Sequence, residues 1–205
     1  LYNEYLNYEQ DFDKFKKLNK FIENTFEFDN FSSVSSINMI ERSLFKKYIY
    51  SDIDKIDDEI NNYKQKLDFI CNKLSDYIDT KNNSSLPLKI EYNDKHNWFI
   101  YTTKKRGLML KERFKNLNNK SIIVKDNDEN IIYEFKPSDF SFKTKDNNNT
   151  IIELNEIKDI SNKLIELNKE LSYLNNKYYI ETIQNIYSKY NVSLKKMNNF
   201  LADID

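Results

Sequence analysis

The stretch Ile157–Tyr178, IKDISNKLIELNKELSYLNNKY, decides how this chain folds. Its apolar residues Ile157, Ile160, Leu164, Leu167, Leu171, Leu174 and Tyr178 recur at alternating steps of three and four. That spacing keeps one narrow stripe turned toward a partner helix, the pattern of a coiled-coil seam. The residues between are mostly Asp, Asn, Lys, Glu and Ser, as solvated flanks should be. A second stretch repeats the pattern through Ile53, Ile56, Ile60, Tyr63, Leu67, Ile70, Leu74 and Tyr77. Past Tyr178 the stripe slips by one residue, to Tyr179, Ile183, Ile186, Tyr190, Leu194, Met197 and Leu201. Such a slip redirects the seam or marks a new partner. The reading is an α+β, mainly α chain: long antiparallel, coiled-coil-like helices with a small antiparallel β-rich tip inserted between them. A helix from about Thr150 to about Ile204 would run roughly 80 Å at the α-helical rise.

Composition agrees. Among 205 residues there is one glycine, Gly107, and two prolines, Pro87 and Pro137, so few breakers interrupt long helices. Apolar residues at 39% and charged ones at 32% suit helices with one buried stripe rather than a thick core. The 30 asparagines reflect AT-rich coding more readily than function, because they are interleaved with periodic apolar residues. Cys71 is the lone cysteine, which excludes an internal disulfide and predicts a buried structural thiol. No run reaches the ~18 apolar residues of a membrane span and no signal sequence opens the chain, so an intracellular protein is expected. A first residue of Leu1 rather than Met suggests an excised fragment.

Four segments follow. Residues 1–50 form a helical base, with helices over Leu1–Phe31 and Ile37–Tyr50 and a break with capping residues at Ser32–Ser36. Leu6, Phe12, Phe15, Leu18, Phe21 and Ile22 supply its apolar face. Residues 51–80 are the first long helix, 81–149 the insertion and 150–205 the second long helix. In the insertion, Leu88, Ile90 and Tyr92 alternate with Lys89 and Glu91, the period-two pattern of a strand with one buried face. Turn residues Asn93–His96 lead into NWFIYTT (97–103), completing a hairpin. SIIVK (121–125) and NIIYEF (130–135) form a second hairpin across Asp126–Glu129. Between the hairpins a short helix puts Leu110, Phe114 and Leu117 on one side. Phe140, Phe142 and Thr144 alternate as a last strand, giving four or five strands in all.

Charge is unevenly spread. Lys81–Thr150 holds fourteen Lys or Arg against nine Asp or Glu, a local +5, while the whole chain is −1. Lys104, Lys105, Arg106, Lys111, Arg113, Lys115 and Lys120 face Glu112 alone within Lys104–Lys120. Cations gathered on a small protruding tip are the footprint of phosphate binding, although such a run also serves as an ordinary solvated face. A second group, Lys143 and Lys145 followed by Asn147, Asn148 and Asn149, stands where strand turns to helix. Its amides and free helix-start N–H groups suit phosphate oxygens.

Other residues point to plainer roles. His96 reads as an exposed turn residue, with no Cys or second His to share a metal. Asp52, Asp54, Asp57, Asp58 and Glu59 sit at a helix start, where acids complement the positive end of the helix dipole. Trp98 and its aromatic neighbours belong to a strand and read as core. Gly107 alone makes no phosphate-cradling loop, and no Ser–His–Asp or Cys–His pairing is supported. The fragment is therefore expected to be non-catalytic, without a cofactor or metal of its own.

These residues resemble the MutS mismatch-recognition family, specifically its core or lever domain with the inserted clamp. Asp54, Ile56, Asp57, Asp58, Glu59 and Ile60 match the acidic entry to the lever helix. Leu88, Lys89, Ile90, Tyr92 and Asn93, then Trp98, Phe99, Ile100, Thr102, Thr103 and Lys104, match two clamp strands. Phe142–Asn149 matches the return into the second lever helix, and Ala202, Asp203, Ile204 and Asp205 match its end. The family's glycine in the second clamp strand is replaced around Asn97, and the Lys105–Pro137 insertion is longer than in bacterial members. The resemblance implies a clamp that touches double-stranded DNA through its backbone, and a lever coupled to a distant ATPase that uses ATP and Mg. Its DNA-contacting turn falls on Lys143, Lys145, Asn147 and Asn148. The parent protein would act as a homodimer with its remaining domains, away from membranes. It would work in the cytoplasm, a viral factory or the nucleus, in a divergent branch such as a large DNA virus or a protist. A different class of reading is a coiled-coil scaffold or tether whose β tip binds a protein partner.

Overall fold

The computed structural model describes residues 2–32, 40, 42–78, 87–117 and 120–204, with side chains over 12–199 and at 202. In chain order the elements are α1 (Tyr2–Thr25), α2 (Phe28–Phe31), α3 (Ser51–Ser75), β1 (Lys89–Asn93), β2 (Asn97–Thr103) and α4 (Lys104–Asn116). They continue through β3 (Ile122–Lys125), β4 (Ile131–Phe135), β5 (Ser141–Thr144), β6 (Asn149–Glu153) and α5 (Asn155–Ile204). The mainly helical α+β class expected from periodicity is the one observed. No helix among the described residues is long and apolar enough to cross a membrane. The chain divides into two compact units, Leu1–Asp58 with Asn168–Asp205, and Glu59–Leu167.

In the first unit, α3 opens with Asp52 and Asp54 in its first turn, where carboxylates meet unpaired helix N–H groups. Residues 42–50 are not helical, contrary to the periodicity over Ile37–Tyr50; residues 33–39 and 41, including most of the Ser32–Ser36 break, lie outside the described residues. The reason is that distant polar side chains of α5 take over the backbone bonds a helix would have used. The Ile40 N–H donates to Ser172 Oγ at 2.9 Å, and the Leu44 N–H donates to Asn175 Oδ1 at 2.8 Å. Tyr48 sits at φ 72°, a left-handed conformation no helix contains. Phe26 bridges to Phe45, which ends α1 before Phe31, and their rings lie 5.2 Å apart. Tyr178 stacks on Tyr50 at 3.9 Å and its hydroxyl donates to Asp52 at 2.6 Å. Of the expected apolar face of α1, Leu18 is buried, Phe15 and Ile22 are half-buried and Phe12 is 55% exposed, while the side chain of Leu6 lies outside the described residues.

The slipped stripe beyond Tyr178 is also revised. Ile183 and Leu194 are exposed, Tyr179, Ile186, Tyr190 and Met197 are half-buried, and the side chain of Leu201 lies outside the described residues. Beyond Leu171 the fully buried positions of α5 among the described residues are the polar Ser172, Asn175, Thr182 and Ser193, which apolar periodicity does not mark because their groups are satisfied by partners far away in sequence. Thr182 meets the Tyr50 hydroxyl at 3.1 Å, and Lys14 donates to Ser193 at 3.4 Å.

In the second unit the two apolar stripes behave as read: Ile60, Leu67, Ile70, Leu74, Ile157, Ile160, Leu164 and Leu167 are all buried. Cys71 is buried as well, and loss of solvation, with Asp68 nearby, pushes its thiol up to about 12. Between the stripes the described residues make six strands rather than four or five. Four form an antiparallel sheet in the order β1-β2-β6-β5, and β3 pairs with β4 apart from it. The extra strand, β6, occupies Asn149–Glu153, so the long helix begins at Asn155 rather than near Thr150. Thr150, Ile151 and Ile152 are a β-branched run, which favours a pleated conformation over the first turns of a helix. Both hairpin turns need a left-handed residue, Asn97 at φ 58° and Glu129 at φ 63°. Asparagine tolerates that region better than most residues.

Gly107, in the middle of α4, faces Thr150 of β6; a Cβ added there would sit 3.4 Å from the Thr150 Cβ. That is contact without overlap, so Gly107→Ala should gain helix propensity and raise the unfolding free energy by roughly 0.5–1 kcal/mol. Gly107→Leu should lower it, and urea midpoints of the two variants check both signs. In the first unit, Asn175→Leu leaves the buried Leu44 N–H without its acceptor. The same urea titration should show a loss of about 1–3 kcal/mol.

Candidate nucleic-acid interface

The basic groups singled out in sequence lie in the second unit, and the fold brings some of them together. Strand β2 ends at Thr103, whose hydroxyl caps α4 by accepting from the Arg106 N–H at 3.4 Å. The next N–H, that of Lys104, donates to the Asn148 carbonyl at 2.8 Å. The start of α4 is thereby fixed against the β5–β6 turn, so Lys104–Arg106 and Asn147–Asn148 share one end of the sheet. The turn is tied by Asp146, whose carboxylate accepts from the N–H groups of Asn148 at 2.7 Å and Asn149 at 2.9 Å. The Asn149 side-chain amide adds to these, and together they hold the Asp146 carboxyl below the usual range. The side chains of Asn147 and Asn148 remain exposed.

Along α4, Lys104, Leu108, Lys111 and Lys115 fall on one stripe at steps of four, three and four. The adjoining flank packs inward through Gly107, Leu110 and Phe114. Lys104, Lys105, Lys111 and Lys115 are exposed, and among the described residues no carboxylate pairs with any of them. Leu108, 63% exposed, sits among them. Arg106 and Arg113 are half-buried.

Lys143 and Lys145 are placed differently. The register sets Glu91 opposite Phe99 and Tyr101 opposite Ile151, which in turn faces Lys143, so all of these project from one sheet face. Lys143 pairs with Glu153 at 2.8 Å. Lys145 pairs with Glu91 at 2.6 Å, keeps only 16% of its side-chain surface and lies 3.7 Å over the Tyr101 ring. Hydrogen bonds from these lysines hold both carboxyls below their ordinary range. Tyr101 is pushed up, first by loss of solvation and then by its bond to Glu91. Sequence showed two cations near a turn; that each meets a carboxylate follows from the sheet order, in which β2 and β6 join the β1–β2 and β5–β6 pairs.

The remaining candidates fall where plain chemistry puts them. His96 lies in the β1–β2 turn as expected but is half-buried rather than exposed, because its ring packs edge-on against Phe99 at 5.5 Å. Trp98 is half-buried, covered by Lys64 at 5.4 Å, and its backbone N–H donates to Ser161 Oγ at 3.0 Å. Asp54 accepts from the Tyr48 N–H, and Asp58 pairs with Lys47. No group of three or more His, Cys, Asp or Glu among the described residues is arranged to hold a metal.

No protein-family profile matches the chain. Over 185 residues it is 24% identical to a putative DNA mismatch repair protein, a mutS homolog, of Acanthamoeba polyphaga mimivirus. The match covers 88% of this chain and 16% of that protein, so the chain spans about a sixth of the relative's length. The similarity is weak, and it suggests a relation to MutS in the same direction as the sequence motifs.

The paired carboxylates give the site an acid limit. Glu91 and Glu153 titrate lower in the folded chain than in the unfolded one, where a glutamate has a pKa near 4.3. Their contribution is complete above that value and drains away as pH falls through the lowered folded values. Trp98 fluorescence in urea should show stability falling below about pH 4, with a shallower fall in Glu91→Gln.

Proposed function

We propose that the chain is a lever-and-clamp segment of a MutS-like protein whose β-rich insertion touches the phosphates of double-stranded DNA without reading bases. The observation that carries this reading is the lysine stripe of α4, unneutralised by carboxylates and joined at its start to the exposed amides of Asn147 and Asn148. An ammonium group without a partner gains a phosphate at the cost of water alone. One already held by a carboxylate must also give up that bond. Lys104, Lys105, Lys111 and Lys115 therefore carry most of the attraction. Lys143 and Lys145 mainly hold the hairpin that presents Asn147 and Asn148. The weak similarity to a mimivirus mutS homolog supports DNA as the partner. In this reading the parent protein is a homodimer, and its other domains bind ATP and Mg and receive motion from the lever helices.

Each phosphate contact adds about 0.9 to the slope of log K against log salt. Lys104→Ala with Lys111→Ala should reduce that slope by nearly 2 for a short duplex, read by fluorescence anisotropy between roughly 50 and 200 mM salt. Lys143→Ala should change it by well under one contact. A double variant with the wild-type slope overturns the reading.

One observation favours the scaffold reading instead. Tyr173, Ile180, Tyr187 and Leu194 stand seven residues apart on α5 and are 66%, 51%, 61% and 41% exposed. A seam of that period pairs with a second copy of the chain. Light scattering decides: a dimer without DNA supports the scaffold, and a monomer that binds duplex excludes it.

A further inference from the structure

We propose that the groove between α4 and β5 takes an unpaired nucleotide of a nucleic-acid strand, with the base on Phe142 and the flanking phosphates on Lys111 and Lys115. The groove has a volume of about 700 Å³, and its floor is Phe114, Phe140 and Phe142. Their rings form one cluster, Phe114 lying 4.9 Å from Phe140 and 6.2 Å from Phe142. Phe114 and Phe140 are buried, whereas Phe142 is half-buried and lines the opening. Lys111 and Lys115 stand on one wall, one helical turn apart, and Ser138 lies in the turn before β5. The groove is lined by no carboxylate, and the nearby Glu153 is occupied by Ser141 and Lys143.

An aromatic floor under two unpaired ammonium groups is complementary to a ligand with a flat face and negative charge on either side. A stacked base with its phosphates has that chemistry, and every base presents a π-face. The lysine stripe favours a nucleic-acid strand over an acidic peptide. Lys104, Lys111 and Lys115 continue along one side of α4 from the β5–β6 turn to the groove, so a strand held there is led into it. A duplex keeps its bases stacked inside and reaches the lysines only. The groove therefore selects single-stranded or splayed nucleic acid. This inference rests on the phosphate-binding reading of α4 and adds the base to it.

The test uses the full chain and three fluorescein-labelled probes: an oligothymidylate of about 12 nucleotides, the same backbone made abasic, and a duplex of equal length. Phe142→Leu keeps an apolar packing group and removes the ring. It should weaken oligothymidylate binding roughly tenfold, in line with the loss of one base stack, and leave the duplex unchanged. The abasic strand should bind wild type as weakly as oligothymidylate binds the variant, a comparison that needs no folded mutant. Equal binding of the thymidylate and abasic strands by wild type overturns the proposal. So does a Phe142→Leu variant with the wild-type melting profile and undiminished thymidylate affinity. An acidic phenylalanine-containing peptide that displaces the strand at lower concentration than unlabelled oligothymidylate overturns it in favour of a protein ligand. Loss of duplex binding alone, with the Phe142 effect intact, defeats the duplex reading and leaves the groove standing. A salt slope carried by Lys104 and Lys111 with no Phe142 effect does the reverse.

Discussion

Strand β6 is hydrogen-bonded on both edges, to β2 on one side and β5 on the other, and the arrangement of the second unit depends on that double pairing. Remove it and β5 loses its only partner in the sheet, while β1 and β2 remain a lone hairpin, marginal in water. Ile151 and Ile152 bury against opposite faces, as successive residues of a strand must. Thr150 gives α4 a surface to rest on where Gly107 leaves room. Only Leu154 separates β6 from α5, so the sheet and the long helix are joined with almost no slack. The β5–β6 turn and the start of α4 meet because β2 and β6 are neighbours.

That geometry sorts the cations. On the sheet face, lysines at β5 and its turn come within reach of Glu91 and Glu153, and each is drawn into a pair. Lys145 also lies flat over two aromatic rings, using its stem as apolar cover while its head stays charged. On α4 the next turn offers lysine again, and Glu112 stands near Lys105 and Lys115 on the helix surface without forming an ion pair with either. The result is an insertion with a modest net charge whose exposed, uncompensated ammonium groups nevertheless concentrate along one helix. For non-specific phosphate binding, that concentration matters more than the net count.

The first unit follows another rule. Its stretch 42–50 forms no helix, yet its backbone is held by Asn175 of α5, as that of Ile40 is by Ser172, and its aromatic residues pack with Phe26 and Tyr178. A buried asparagine that satisfies a loop's N–H group specifies one arrangement of that loop, since any shift leaves both groups unpaired. Beyond Leu171, α5 spends its fully buried positions among the described residues on polar residues and leaves Ile180 and Tyr187 outside.

Helical periodicity through Ile53–Tyr77 and Ile157–Tyr178, the alternation of both hairpins and the solitary Cys71 were legible in the sequence alone. Each is a local matter, set by which side chains share a face at a period of 3.6 or 2. The basic stretch from Lys104 to Lys115 was legible too, because a short helix keeps neighbours in sequence neighbours in space. Tertiary structure decided the rest: that Thr150–Glu153 is a strand, that residues 42–50 are not a helix, and that Lys143 and Lys145 are paired while the lysines of α4 are not. Those outcomes turn on partners between 6 and about 130 residues away. The β-branched run Thr150–Ile152 is a local signal for its strand, but the pairing energies that select a strand there, a loop at 42–50 and paired lysines at 143 and 145 come into being only once the chain has folded.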